Sequence, residues 1–396
     1  MNRAAYIVSA VRTPMGKFGG ALRELTAADL GVAVARAALE RAGVEAQHVD
    51  EVILGCARQA GVGPNVARQI AVRALGPALG APVPAFTLNQ ACASGLQTLA
   101  VAAERIATGQ ADCVLAGGTE SMSRVPYLLE GARWGLRMGH QRLTDGMYRD
   151  GFLDPISEMI MGETAEVLAE EYGITREEQD SYACASHQRT AEAWQKCRFA
   201  DEVVAVEVPD KKGTRLVEQD ETFRSDTTEE KLKRLPPVFK NDGTVTAGNA
   251  SQISDGAAAL VVVSEAKVRQ WNLTPWARIC DWITVGVDPR RMGIGPVPAV
   301  QRLLEKTSAR LEAFDLVELN EAFAAQVLAC DRELHFDRAR LNVNGGAIAL
   351  GHPIGCSGAR IATTLVHEMR RQQAKRGLAT LCVSGGLGMA LSVEAA

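Results

Sequence analysis

Cysteine and histidine supply the commonest nucleophile and base near neutral pH, and this chain sets them against unusual backbone in three places. Cys92 lies in Asn89-Gln90-Ala91-Cys92-Ala93-Ser94-Gly95, between strand-like Phe86-Thr87-Leu88-Asn89 and an alanine-rich amphipathic helix over Leu96 to Ile106. That spacing puts Cys92 on a tight strand-to-helix turn. The positive end of the helix dipole and unpaired backbone N–H groups there favour a thiolate and can hold an oxyanion. His352 lies in Gly345-Gly346-Ala347-Ile348-Ala349-Leu350-Gly351-His352-Pro353-Ile354-Gly355. Pro353 keeps it out of a regular helix interior, and the glycines allow close approach of a substrate. Cys382, in Leu381-Cys382-Val383-Ser384-Gly385-Gly386-Leu387-Gly388, ends a strand beside a glycine-rich turn. A fourth candidate, Asn320 in Asn320-Glu321-Ala322-Phe323, follows the buried strand Leu316 to Leu319. In open α/β sheets, ligands bind at that end of a strand. Taken alone, a cysteine at such a turn is more often a small buried hydrophobe.

The elements that must hold these residues come twice. Leu39 through Leu54 lies over Leu304 through Leu319 without a gap, matching Glu40 with Glu305, Asp50 with Asp315 and Val52 with Val317. Cys92-Ala93-Ser94-Gly95, a helix and Val114-Leu115-Ala116-Gly117-Gly118 are echoed by Gly355-Cys356-Ser357-Gly358, a helix and Cys382-Val383-Ser384-Gly385-Gly386. Two matches in one order imply a duplicated α/β unit, each copy with its own mixed sheet. From about Val125 to Thr244 the chain is more charged, and a helix is expected from about Arg176 to Lys196. This stretch reads as an insertion on the first copy, and such insertions often cover a site.

Length and composition bound the rest. With 396 residues, 47% hydrophobic and 23% charged, the chain suits a globular protein of two or three domains. A net charge of −4 without an extended basic block argues against nucleic acid or an anionic membrane as partner. Nine cysteines without framework spacing favour free thiols. Met1-Asn2-Arg3 runs straight into strand-like Ala4 to Val8, Val393-Glu394-Ala395-Ala396 is no sorting signal, and no apolar run spans a bilayer. A cytoplasmic protein is expected. Gly386-Leu387-Gly388 lacks the helix-opening third glycine of a dinucleotide loop, and Cys184-Ala185-Ser186-His187 lacks the second pair of a zinc site. No metal is expected. His48, His140, His187, His335 and His367 fall in polar or helical surface contexts and receive no role, while Cys56, Cys113, Cys197, Cys280, Cys330 and Cys356 read as structural.

The four segments around Cys92, Asn320, His352 and Cys382 resemble the active-site blocks of thiolases. Val11-Arg12-Thr13-Pro14, Gly117 to Ser123, Thr246 to Ser251 and Gly293-Ile294-Gly295-Pro296 extend the likeness over essentially the whole chain. The resemblance implies a duplicated, five-layered α/β/α/β/α thiolase fold with an inserted loop domain. Residues 1–124 with 245–275 would form the N-terminal half, 125–244 the loop domain and 276–396 the C-terminal half.

It also implies an acyltransferase that condenses or cleaves coenzyme A thioesters, with no cofactor beyond them. Cys92 would carry the acyl group, His352 would take its proton and Cys382 would deprotonate acetyl-CoA. Asn320, through a held water, would help His352 stabilise the enolate, and the backbone at Cys92 and Ser384 would serve a second oxyanion. Arg224, Phe239 and Ser251 match positions near CoA, and Phe323 falls in the same substrate-binding set; Met161 and Met292 match the acyl pocket. Arg137-Met138-Gly139, after Gly131 to Gly135, resembles a tetramerisation loop, so a homotetramer built from dimers is implied. One-way condensing enzymes of the same fold generally lack the second cysteine, so Cys382 argues against them. Two positions depart from the pattern. Ser384 replaces a usual glycine, and Ile160 stands where some short-chain relatives have histidine, leaving acyl-chain preference open.

Overall fold

The structure is a computed structural model that describes residues 3–210 and 213–396. Met1 and Asn2, the start of the segment read above as leaderless, lie outside the described residues.

In the first half the chain runs through β1 (Ala5–Arg12), α1 (Ala27–Ala42), β2 (Glu51–Gly55), α2 (Val66–Leu75), β3 (Ala85–Leu88), α3 (Ser94–Ala107) and β4 (Cys113–Ser121). It then leaves the sheet, forming α4 (Met161–Glu171) and α5 (Arg176–Gln195), and returns as β5 (Ser254–Ser264). The second half follows as β6 (Ala277–Gly286), α6 (Pro296–Thr307), β7 (Leu316–Leu319), α7 (Ala324–Leu334), α8 (Ile354–Gln372), β8 (Arg376–Val383) and β9 (Leu387–Ala395).

The strand order β7-β8-β9-β6-β1-β5-β4-β2-β3 is that of two similar half sheets. β2 runs parallel to β3 and β4, and β7 runs parallel to β8, while the remaining pairs are antiparallel. The halves are not separate sheets, because Ala5, Tyr6 and Ile7 of β1 pair with Ile279, Arg278 and Ala277 of β6.

Each half sheet has helices on both faces, and β4, β5 and β8 are buried along nearly their whole length. Along β5, Ala258, Leu260 and Val262 join the cluster around α3 and α8, whereas Ala257, Ala259, Val261 and Val263 join the cluster around α1 and α2. The first cluster also takes Leu381, Val383, Met389 and Leu391 of the other half, so α3 and α8 lie between the two half sheets. A third cluster packs α6 and α7 against the outer face of the second half. Five layers result.

The duplication positions the site. A Cβ on Gly95 would fall 2.6 Å from Ala359 N, and one on Gly358 2.3 Å from Leu96 N. α3 and α8 therefore cross at the two glycines that are equivalent in the repeat. Both helices begin within a few residues of that crossing, which brings the segment before α3, with Cys92, against the segment before α8, with His352.

The segment between β4 and β5 is fixed to the scaffold by buried charge. Arg12 donates to Glu202 at 2.5 Å and to Asp220 at 2.6 Å, with all three side chains buried. Glu321 accepts from Tyr182 at 2.9 Å and from Ser186 at 2.7 Å, tying α5 to the loop after β7. Among the described residues, no helix is long and apolar enough to cross a membrane.

Candidate active site

Cys92 occupies a single 3-10 turn, Ala91–Ala93, that leads directly into α3. Ala91 has φ +45°, a left-handed conformation that costs a residue with a Cβ roughly 1–3 kcal/mol. Ser94 holds the turn closed, its hydroxyl accepting from Gln90 N at 2.8 Å and donating to Ala91 O at 2.7 Å. The left-handed residue starts the turn that carries Cys92 just ahead of the helix.

Burial pushes the Cys92 thiol up, and the Ser384 backbone N–H, the Arg58 charge and its own N–H oppose that shift. Cys382, at the end of β8, is driven well above the ordinary thiol range by burial and by the charge of Cys92. Neither sulfur is therefore a thiolate at rest near neutral pH. A base must act on them.

The surroundings of His352 suit it to that work. Burial, with the charges of Arg360 and Arg58, pushes it down to about 3, so the imidazole is neutral at neutral pH. Its Nδ1 lies 2.5 Å from Ser357 Oγ, and that hydroxyl donates to Pro353 O at 2.9 Å. Because the serine proton is committed to a carbonyl, Nδ1 must be the protonated nitrogen. Nε2 then keeps its lone pair. It faces Asn320 Nδ2 at 3.5 Å, and Asn320 Oδ1 has no hydrogen-bond partner among the described residues.

Cys92, His352, Cys382 and Ser384 line one cavity of about 780 Å³. Asn320 does not line it but stands behind His352. The serine at 384 leaves the turn intact, since the positive φ angles there belong to Gly385 and Gly386. Its N–H, which favours the Cys92 thiolate, is thus aimed as a glycine's would be.

The same cavity collects the other six sequence-predicted residues: Met161, Met292 and Phe323, and Arg224, Phe239 and Ser251. Phe239 stands edge-on to Phe323 with ring centres 6.1 Å apart. A Cβ on Gly162 would lie 2.2 Å from the Phe239 ring, so that position must be glycine for the aromatic wall to form. Ile160 also lines the cavity.

Two histidines correct the surface reading. His187 is 3% exposed, lines the cavity, and accepts from Arg224 N at 3.1 Å; burial and the Arg224 charge push it down to about 4. His367 is 9% exposed and bonds Ala10 O at 2.8 Å. Both sit on helices whose surroundings come from segments far away in sequence, and nothing in the local pattern reveals that. Arg58 escaped the sequence reading altogether. It is 7% exposed and lines the cavity beside Cys92. Its one visible signal was a charged residue immediately after the buried run Val52 to Ala57. Ser357, which fixes the His352 tautomer, was visible only as one member of the internal repeat.

The thiolase N-terminal domain family matches residues 5–266 and the thiolase C-terminal domain family matches residues 273–395. An acetyl-CoA acetyltransferase of Pseudomonas aeruginosa is 53% identical over 388 residues, covering 98% of each chain. The crystal structure of the Bacillus anthracis acetyl-CoA acetyltransferase superposes with a TM-score of 0.97 at 46% identity, covering 100% of each chain. That of human mitochondrial 3-ketoacyl-CoA thiolase in complex with CoA has a TM-score of 0.95 at 43% identity, covering 100% of this chain and 98% of the other. With both family domains matched end to end around this cavity, the chain belongs to the thiolase family.

Proposed function

We propose that this thiolase catalyses reversible Claisen condensation and thiolysis through an acyl-Cys92 intermediate. Two acetyl-CoA give acetoacetyl-CoA and CoA, or a 3-ketoacyl-CoA and CoA give acyl-CoA and acetyl-CoA. The observation that carries the reading is the neutral His352, its proton fixed on Nδ1 and its Nε2 left as an acceptor, in one cavity with two protonated thiols.

The chemistry follows from those groups. His352 Nε2 takes the Cys92 proton, and the thiolate attacks the thioester carbonyl. Backbone N–H groups at Cys92 and Ser384 stabilise the oxyanion, and CoA leaves with the Cys382 proton, so that Cys382 becomes a thiolate while His352 keeps the proton it took. After acylation, Cys382 removes a proton from the methyl carbon of acetyl-CoA. The enolate oxygen is held by His352, now a proton donor, with Asn320 behind it. Carbon–carbon bond formation on the Cys92 thioester releases the product, and thiolysis reverses these steps. Arg224, exposed at the mouth, and Phe239 suit the nucleotide end of CoA, while Met161, Met292 and Phe323 suit the acyl end. No cofactor beyond the CoA thioesters is required.

The protein acts in the cytoplasm as a homotetramer. Trp134 is 87% and Met138 101% exposed on the loop before α4, and a second copy would shield them.

Incubation with acetoacetyl-CoA and CoA tests the function. The expected result is stoichiometric acetyl-CoA. Recovery of intact acetoacetyl-CoA with a folded protein would exclude it.

A further inference from the structure

Arg58 is a charge without a partner. It follows β2 and lines the same cavity as Cys92. Nε and Nη2 are covered and have no hydrogen-bond partner, and no acid forms an ion pair with the guanidinium among the described residues. Glu120, the buried carboxylate beside it, is already occupied. It accepts from Ala57 N at 2.9 Å, Arg58 N at 3.0 Å, Gly355 N at 2.8 Å and the Cys56 thiol at 3.3 Å.

The backbone makes room for this arginine. A Cβ on Gly151 would lie 2.7 Å from Arg58 Nε and 2.9 Å from Nη2, so the turn Tyr148–Phe152 closes over the guanidinium only with glycine there. Tyr148, Gly151 and Phe152 line the cavity together with Arg58 and Cys92. Arg58 is buried and near enough to Cys92 for its charge to act on that thiol, whereas Arg224 is exposed, so the unpaired charge stands at the Cys92 end of the cavity. A largely buried guanidinium with no acid beside it is costly unless something anionic meets it, and its planar fork fits a carboxylate.

We infer that Arg58 receives a carboxylate at the far end of the acyl group, so that the preferred substrates are 3-oxoacyl-CoAs of dicarboxylic acids. The inference rests on the thiolase reading and names the substrate class for the same site. In thiolysis the chain remaining on Cys92 would then be a dicarboxylic acid monothioester, its free carboxylate held by Arg58. In condensation the same monothioester would be the acyl donor and acetyl-CoA the nucleophile.

The test compares kcat/KM for 3-oxoacyl-CoAs of matched length that end in a carboxylate or in a methyl group. The wild-type enzyme is expected to favour the carboxylate. In Arg58→Leu the ratio of the two values should fall by roughly 10- to 100-fold, the scale of a lost hydrogen bond between charged groups, and Arg58→Lys should restore part of it. A non-cleavable thioether of CoA ending in carboxylate should inhibit the wild-type enzyme more strongly than its methyl-ended counterpart, a measurement independent of any variant's folding. A wild-type preference for the methyl series overturns the inference. So does a preference that survives Arg58→Leu, and so does an equal loss on both series, which would make Arg58 an electrostatic partner of Cys92 instead. If no 3-oxoacyl-CoA is cleaved at all, the thiolase reading fails and the inference falls with it.

Discussion

His352 Nδ1 and Ser357 Oγ lie 2.5 Å apart across the first turn of α8, and this contact decides which nitrogen of His352 keeps its lone pair. Ser357→Ala removes the acceptor that holds the Nδ1 proton while leaving the cysteines in place. The expected loss in kcat is on the order of tenfold, about the net worth of one hydrogen bond. Steady-state kinetics checks it, and a kcat equal to that of the unaltered enzyme would mean that the ring is held by packing alone.

The second cysteine separates the half-reactions. Cys382→Ala should still be acylated at Cys92, because that step uses His352 and backbone donors. It should fail to exchange the methyl protons of acetyl-CoA with deuterated solvent, a loss of about 10²–10⁴-fold for a missing general base. Exchange followed by mass spectrometry decides. Normal exchange with lost acylation would reverse the roles of the two thiols.

Acid pH should act on stability in a defined direction. His352 is held down to about 3 and His187 to about 4, against an ordinary value of 6.5. Below 6.5 the unfolded chain binds protons that the folded one refuses, so stability falls as pH drops from 6.5 towards 4 and is level above 6.5. Thermal melts at a series of pH values measure the slope. His187→Gln should flatten it, and an unchanged slope would assign the acid sensitivity elsewhere.

Gly162→Ala should raise KM for CoA substrates more than it lowers kcat, because its Cβ would displace the Phe239 ring from the cavity wall. The KM-against-kcat split reads this directly. A fall in kcat alone would place Phe239 in the chemical step.

Light scattering reads the assembly state. A tetramer is expected, and a monomer at micromolar concentration would leave Trp134 and Met138 exposed for no evident reason.

The sequence made the duplicated architecture legible through the gapless match of Leu39–Leu54 with Leu304–Leu319 and the echo of the Cys92 segment at Gly355–Gly358. Cys92, His352 and Cys382 were legible because each needed unusual backbone: a helix start, a Gly-His-Pro turn, a strand ending in glycines. Phe239, Met161 and Met292 were reached only through resemblance, since an aromatic or a methionine leaves no local mark of facing a cavity. His187, His367, Arg58 and Ser357 stayed hidden for a shared reason. Their partners, Arg224 N, Ala10 O, the turn at Gly151 and the His352 ring, are set by tertiary packing, and no periodicity records which helix face a distant loop will cover. The single continuous sheet was equally hidden, because three edge pairs between β1 and β6 have no signature beyond ordinary strand propensity.

Acyl transfer to one named sulfur is the centre of the account, and trapping that intermediate tests it most directly. Incubation with acetyl-CoA labelled in the acetyl group, acid quench and peptide mapping should place one base-labile acetyl group on the peptide carrying Cys92, and Cys92→Ser should carry none. Label on Cys382 or any other residue, or retention of label by Cys92→Ser, would contradict it.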